Sequence, residues 1–312
     1  MKDITEKDLK ENIPLATRTI QEFERIIKAE KVNIGRGNLT IIAGPCTIES
    51  KTQIFEIAKE VKEAGADMLR GGVFKPLTFP YNDPLNRKDS DSNCQQGNDY
   101  SSRIVLSLDE KLKRAEKRFG YFKEAGEKYG LPIVSEIIYA NSLEMMSKYV
   151  DMLQIGYRHM FNMDLIEAVS TSKKPILIKR HAGQSLRDLL GVCEHFEARN
   201  KHNFVVCERG VVAPHTHESN SRFIGDIQSI LAFKKYAPSI PIFFDPSHAT
   251  FNRDYINGMT WAAVAAGADG IIIEVHPNPE KAWVDPLQAI NFKNFKKLVK
   301  VTREIYDLVH KS

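Results

Sequence analysis

With 312 residues, and 44 Lys and Arg against 40 Asp and Glu, the chain is long enough for one α/β barrel or two ordinary domains. The net charge of +4 is a mild basic excess, which argues against a nucleic-acid partner and suits a small phosphorylated substrate if the cations converge. The four cysteines, Cys46, Cys94, Cys193 and Cys207, show no CxxC spacing. The N-terminus has acids from the start and no apolar h-region, and no apolar run approaches the ~18–20 residues of a membrane span. A reduced, cytoplasmic chain with no membrane partner is therefore expected.

In chain order, residues 1–38 predict one amphipathic helix, LATRTIQEFERIIKAE, and a turn at Gly35–Gly37. This N-terminal extension is expected to cover the N-terminal mouth of a barrel or to mediate oligomer contacts. Eight apolar runs follow, at 39–46, 67–74, 132–137, 152–158, 175–180, 203–210, 240–248 and 269–277. They are continuous rather than alternating, as strands buried on both faces are. Segments such as 185–200, 252–267 and 286–309 between and after them have helical spacing. Eight strands alternating with helices predict a (β/α)8 TIM barrel over 39–312, with a doubly wound open sheet as the competitor. No GxGxxG turn follows the first run, which also favours the barrel. The polar stretch 80–107 is a long loop after the second strand, where it would overhang the catalytic face.

In such a barrel the chemistry sits at the C-terminal ends of the strands. Those ends carry Cys46, Arg70, Lys75, Glu136, Arg158, Lys179, Arg180, Arg209, His248 and Glu274, with Asp285 in the loop after strand eight. Singly, Cys46 reads as a small buried hydrophobe and His248 as a hydrogen-bonded core residue. Together, the thiol, imidazole and two carboxylates of Cys46, His248, Glu274 and Asp285 suit a divalent Mn, Fe, Co or Zn ion. Arg70 and Lys75 end strand two, and Arg158, Lys179 and Arg209 end strands four, five and six, which scattered surface charge does not explain. Converging there, they would bind a small anion carrying phosphate and carboxylate.

The motifs GPCTIES, LRGGVFKPLT, QIGYR, ILIKR, VVCERG, DPSH and EVHPNPEKAWVD, in this order, closely resemble those of type I, β-subgroup 3-deoxy-D-arabino-heptulosonate 7-phosphate (DAHP) synthases. The resemblance spans about residues 39–295 and extends to the related 3-deoxy-D-manno-octulosonate 8-phosphate synthases. It implies a metal-dependent condensation of phosphoenolpyruvate with an aldose phosphate, erythrose 4-phosphate in DAHP synthases, at the start of the shikimate pathway to aromatic amino acids. It assigns Cys46, His248, Glu274 and Asp285 as metal ligands. Arg70, Lys75, Arg158, Lys179 and Arg209, with Thr78, become substrate contacts. Lys75 becomes a proton or hydrogen-bond donor, and Glu136 an acid near the attacked carbon and a water. A homo-oligomer, dimer or tetramer, is also implied. One departure stands out: Lys75-Pro76-Leu77-Thr78 replaces the common Lys-Pro-Arg-Thr, so the arginine that grips the aldose phosphate is a leucine. The acceptor is thereby open between erythrose 4-phosphate and another aldose phosphate. A barrel that binds sugar phosphates without catalysis is the remaining alternative.

Overall fold

The computed structural model describes residues 4–17, 25–35, 37–87, 103–214 and 223–310. Eight parallel strands close into a barrel: β3 (Thr40–Gly44), β4 (Met68–Arg70), β5 (Ile133–Ile137), β6 (Met152–Ile155), β7 (Ile176–Lys179), β8 (Phe204–Glu208), β9 (Ile242–Phe244) and β10 (Gly270–Glu274). Each pairs with the next, and β10 returns to pair with β3 from Gly270↔Thr40 to Glu274↔Gly44. The expected (β/α)8 architecture is what the chain adopts, and each apolar run contains one strand.

The strands are continuous in hydrophobicity because both faces are buried. Inward-facing Ile42, Met68, Val134, Met152, Leu177, Val205, Phe243 and Ile272 fill the barrel, with Cys207. Outward-facing neighbours such as Ile41, Ala43, Leu153 and Ile178 pack in a second layer against the helices. That layer is covered by α2 (Lys51–Glu63), α3 (Leu108–Tyr129), α4 (Leu143–Ser147), α5 (Met163–Ser170), α6 (Leu186–Ala198), α7 (Ile227–Tyr236), α8 (Pro246–Thr250), α9 (Ile256–Ala265) and α10 (Phe292–His310). Local signals fix their ends. Ser107 and Glu110 form a capping box on α3, Ser185 and Asp188 do the same on α6, and α3 stops at Gly130 in the left-handed conformation.

Two expectations need correction. The N-terminal segment is not one helix. A short α1 (Pro14–Thr17) precedes β1 (Ile27–Ala29) and β2 (Val32–Ile34), which pair as an antiparallel hairpin; residues 18–24 of the expected helix lie outside the described residues. Ile27, Ala29 and Ile34 face inward and join the barrel-interior cluster. This hairpin, not a helix, therefore shuts the N-terminal mouth, because three apolar side chains at period two can reach into the barrel together. Secondly, the run 240–248 is strand only to Phe244. Asp245 caps α8, its side chain accepting from the His248 backbone N–H at 2.9 Å, with Pro246 at the first helical position. Asp-Pro at a strand end is a helix-start signal that overrides the apolar run.

Gly44 ends β3 at φ +154°, and a Cβ there would stand 2.0 Å from the Arg70 carbonyl oxygen. A side chain must push β4 away just where Arg70 is presented. Gly44→Ala is expected to destabilise the fold by ~1–3 kcal/mol, read from urea unfolding. An unchanged midpoint would refute the close approach.

Candidate active site

Strand ends and the loops after them bring the predicted residues to one mouth. Ten of the eleven, all but Glu274, line a single cavity of about 280 Å³: Cys46, Arg70, Lys75, Thr78, Glu136, Arg158, Lys179, Arg209, His248 and Asp285. Glu274 is fully buried at the end of β10, one layer below. A larger cavity of about 420 Å³ near the hairpin turn, lined by Glu30, Lys31, Lys123 and Asp151 among others, holds none of them. Its charges of both signs are a partly solvated surface, so size does not decide where the chemistry is.

On one side of the mouth, the Cys46 sulfur, a Glu274 oxygen and an Asp285 oxygen lie within 4.8 Å of one another. Cys46 Sγ is 3.2 Å from Asp285 Oδ2 and 2.8 Å from Lys75 Nζ. His248 Nε2 stands 3.6 Å from Glu274 Oε1 but does not lie within 4.8 Å of all three ligand atoms. Glu274 Oε2 accepts from Gln288 Nε2 at 2.7 Å, while Oε1 is buried with no hydrogen-bond donor, facing Arg70 Nη2 at 3.0 Å. A buried carboxylate oxygen that is ion-paired with Arg70 but receives no aligned hydrogen bond, beside a thiol and a second carboxylate, fits a borderline divalent cation. Burial and then the Glu274 charge push the Cys46 thiol up, against the pull of Lys75, so a cation is what would hold it as thiolate. Asp285 sits at φ +56°, a costly backbone for a residue with a Cβ. Its loop is held by Glu49, whose Oε1 accepts from Trp283 N at 2.8 Å.

On the other side stand the cations. Burial opposes the charge of Arg70, but Glu274 and Cys46 more than compensate and hold its pKa up. Buried Lys179 donates to Asp245. Asp245 Oδ2 also lies 2.8 Å from His248 Nδ1, out of hydrogen-bond alignment. Burial works against the Asp245 carboxylate, yet His248 and Lys179 take its pKa well below the ordinary range. Arg180, by contrast, turns away: its Nη1 is engaged by Glu208 Oε2 at 2.7 Å and Asp226 Oδ2 at 2.9 Å. Arg158 is exposed and reaches across to the loop after β4, donating to Pro76 O at 2.6 Å and Thr78 Oγ1 at 3.1 Å. Arg209 is 1% exposed and packs against the rings of Tyr157 and Phe223, 4.3 and 4.4 Å from their centroids. Glu136 is half-buried, its Oε2 3.5 Å from Gln154 Nε2.

Sequence reasoning did not mark Tyr157, Phe223, Asp245 or Gln288. Tyr157 and Asp245 fall inside the quoted motifs QIGYR and DPSH, where adjacency to Arg158 and the spacing to His248 were the available signals. Leu77 does line the cavity. Of the loop 80–107, residues 88–102 lie outside the described residues, as does Cys94.

A closed (β/α)8 barrel presenting a ring of cations and a soft–hard ligand cluster at its C-terminal mouth defines a barrel enzyme for a small anionic substrate. The comparisons with known proteins narrow that class. The model of the DAHP synthetase I family matches residues 17–83 and 111–311, and the chain belongs to that family. It is thereby an enzyme of the DAHP synthase kind, a transferase. It is 33% identical over 293 residues to the phospho-2-dehydro-3-deoxyheptonate aldolase of Thermotoga maritima, covering 94% of this chain and 77% of that protein. A 2-dehydro-3-deoxyphosphooctonate aldolase of Fusobacterium nucleatum is 26% identical, over 88% of this chain and 93% of its own length. A truncated form of the Thermotoga maritima DAHP synthase superposes with a TM-score of 0.78 at 31% identity, covering 96% of this chain and 98% of that one. No helix among the described residues is long and apolar enough to cross a membrane.

Proposed function

We propose that the chain condenses phosphoenolpyruvate with an aldose phosphate, erythrose 4-phosphate being the expected acceptor, to give DAHP and inorganic phosphate. Residues 39–312 form the catalytic barrel in this reading, and 1–38 the extension whose hairpin closes it. The observation that carries the proposal is the division of one cavity between five cations and a thiol–carboxylate cluster, with Lys75 on the border between them.

Arg70, Lys179 and Arg209, with Arg158, bind the phosphate and carboxylate of phosphoenolpyruvate by charge-assisted hydrogen bonds. This holds C3 toward the acceptor. C3 attacks the aldehyde carbon, and the C=O pair becomes an oxyanion. Lys75 lies where it can donate a proton to that oxygen; Cys46 and Glu274 hold its pKa up against burial, so it stays charged. A divalent ion held by Cys46, Glu274, Asp285 and His248 would supply Lewis-acid polarisation there. Loss of the C2=C3 pair leaves C2 electron-poor; water oriented by Glu136 adds there and releases a proton, which balances the one given by Lys75, and the C2–O bond to phosphate then breaks. Arg158, Lys179 and Arg209 stabilise the charge that gathers on the departing phosphate.

The test follows phosphoenolpyruvate at its ultraviolet absorbance with Mn²⁺ and erythrose 4-phosphate. Consumption matched by phosphate release is expected. A second reading, another aldose phosphate as acceptor, has Leu77 in its favour, because a leucine offers neither charge nor a hydrogen bond. Arabinose 5-phosphate and longer aldose phosphates in parallel distinguish the two. No consumption with any of them in metal-loaded protein would leave the non-catalytic barrel.

A further inference from the structure

We infer that Tyr157 and Phe223 are positioning residues: an aromatic clamp that aims Arg209, and through the Tyr157 hydroxyl Arg158, at a single phosphoryl group. The inference rests on the reading of this cavity as the phosphoenolpyruvate site. It starts from a difference among the buried cations. Arg70 is paired with Glu274, Lys179 with Asp245, and Arg180 with Glu208 and Asp226. Arg209 is as buried as any of them, yet among the described residues it is paired with no carboxylate. Its guanidinium packs against two rings instead, 4.3 Å from Tyr157 and 4.4 Å from Phe223, and those rings meet edge to face at 73° with centroids 6.5 Å apart.

The physics of the two arrangements differs. A carboxylate partner occupies the N–H edge of a guanidinium, and an incoming anion has to compete with it. An aromatic ring attracts the cation without placing a carboxylate on its N–H groups, so those stay available to an incoming anion. Arg209 Nε and Nη1 are indeed buried without a hydrogen-bond partner. A buried donor pair of that kind is costly until an acceptor arrives. Two rings meeting at a steep angle wall the guanidinium in on two sides, so a phosphoryl group meets a held cation without the full entropy of ordering a free side chain.

Tyr157 has a second hold. Its hydroxyl accepts from Arg158 Nε at 3.1 Å, while Arg158 Nη1 and Nη2 go to Pro76 O and Thr78 Oγ1. One tyrosine thus touches both arginines of this corner with different parts of its side chain. Phe223 is backed in turn by Phe251, 5.9 Å away between centroids, which keeps the outer ring in place.

The two parts can be separated by substitution. Tyr157→Phe keeps the ring and drops the hydroxyl; Tyr157→Leu drops both; Phe223→Leu removes the other face. Phosphoenolpyruvate and inorganic phosphate are titrated by calorimetry, and steady-state kinetics are run with Mn²⁺ and erythrose 4-phosphate. Either leucine variant is expected to raise the phosphoenolpyruvate Kd and KM ~10-fold or more. The acceptor KM should stay near wild type. Tyr157→Phe should fall between wild type and Tyr157→Leu, a graded rescue that loss of packing alone does not produce. If Tyr157→Leu fails to fold by circular dichroism, Phe223→Leu and Tyr157→Phe carry the same test. Wild-type binding retained in the folded leucine variants overturns the clamp. A wild-type protein that binds neither probe overturns the functional reading beneath it, and the clamp with it.

Discussion

Cys46→Ala is expected to abolish metal-dependent turnover, by ~100-fold at the least, while the barrel stays folded. The sulfur is the soft donor of the cluster, 3.2 Å from Asp285 Oδ2 and 2.8 Å from Lys75 Nζ. Without it, Glu274 and Asp285 offer only oxygen, and the site loses its preference for a thiophilic divalent ion. Lys75 also loses its nearest partner, so the variant strikes both halves of the cavity. Stability should change little. Cys46 is 7% exposed at the start of a loop, and removing one sulfur from such a place costs about 1 kcal/mol. The decisive readout is metal content after dialysis against Mn²⁺ or Zn²⁺, beside circular dichroism and turnover. Wild-type metal content and full activity in the variant would refute Cys46 as a ligand. Cys46→Ser should retain part of the metal with altered preference, because oxygen replaces sulfur at the same position.

How much of this was legible in the sequence depends on the range of the interaction. The eight strands could be read because burial on both faces writes continuous apolar runs such as TIIAG and FVVCE. Strand ends then placed the cations and ligands at one mouth without any short motif. The hairpin could not be read. Its strands are three residues each, too short for alternation to register, and its turn uses Glu30 at φ +50° rather than a glycine. Arg180 ends the same strand as Lys179 but stands outside the expected converging set, and the fold shows that Glu208 and Asp226 occupy it. Phe223 against Arg209 joins the two ends of the long connection between β8 and α7, a contact no periodicity encodes. The same is true of Gln288 on Glu274.

Asp245→Asn should be the most damaging substitution outside the cavity lining. This carboxylate is fully buried and serves three groups. Oδ1 accepts from the His248 backbone N–H at 2.9 Å, while Oδ2 takes Lys179 Nζ and stands 2.8 Å from His248 Nδ1. Asparagine preserves the shape and the helix cap, since its side-chain oxygen can still accept from that N–H. What it removes is the charge. Lys179 is 4% exposed and would be left as a buried cation without a counter-charge, which costs ~3–5 kcal/mol. Urea unfolding should show that loss directly. The imidazole of His248 would lose the carboxylate that biases its ring, and metal affinity should fall by ~10–100-fold. Two measurements thus respond for different reasons, stability through Lys179 and metal binding through His248. Lys179→Met in the same background separates them. It should recover much of the stability, because the unpaired charge is gone, but none of the metal affinity. A double variant that regains both would mean that His248 does not depend on Asp245. A single variant as stable as wild type would mean that Lys179 finds its counter-charge elsewhere.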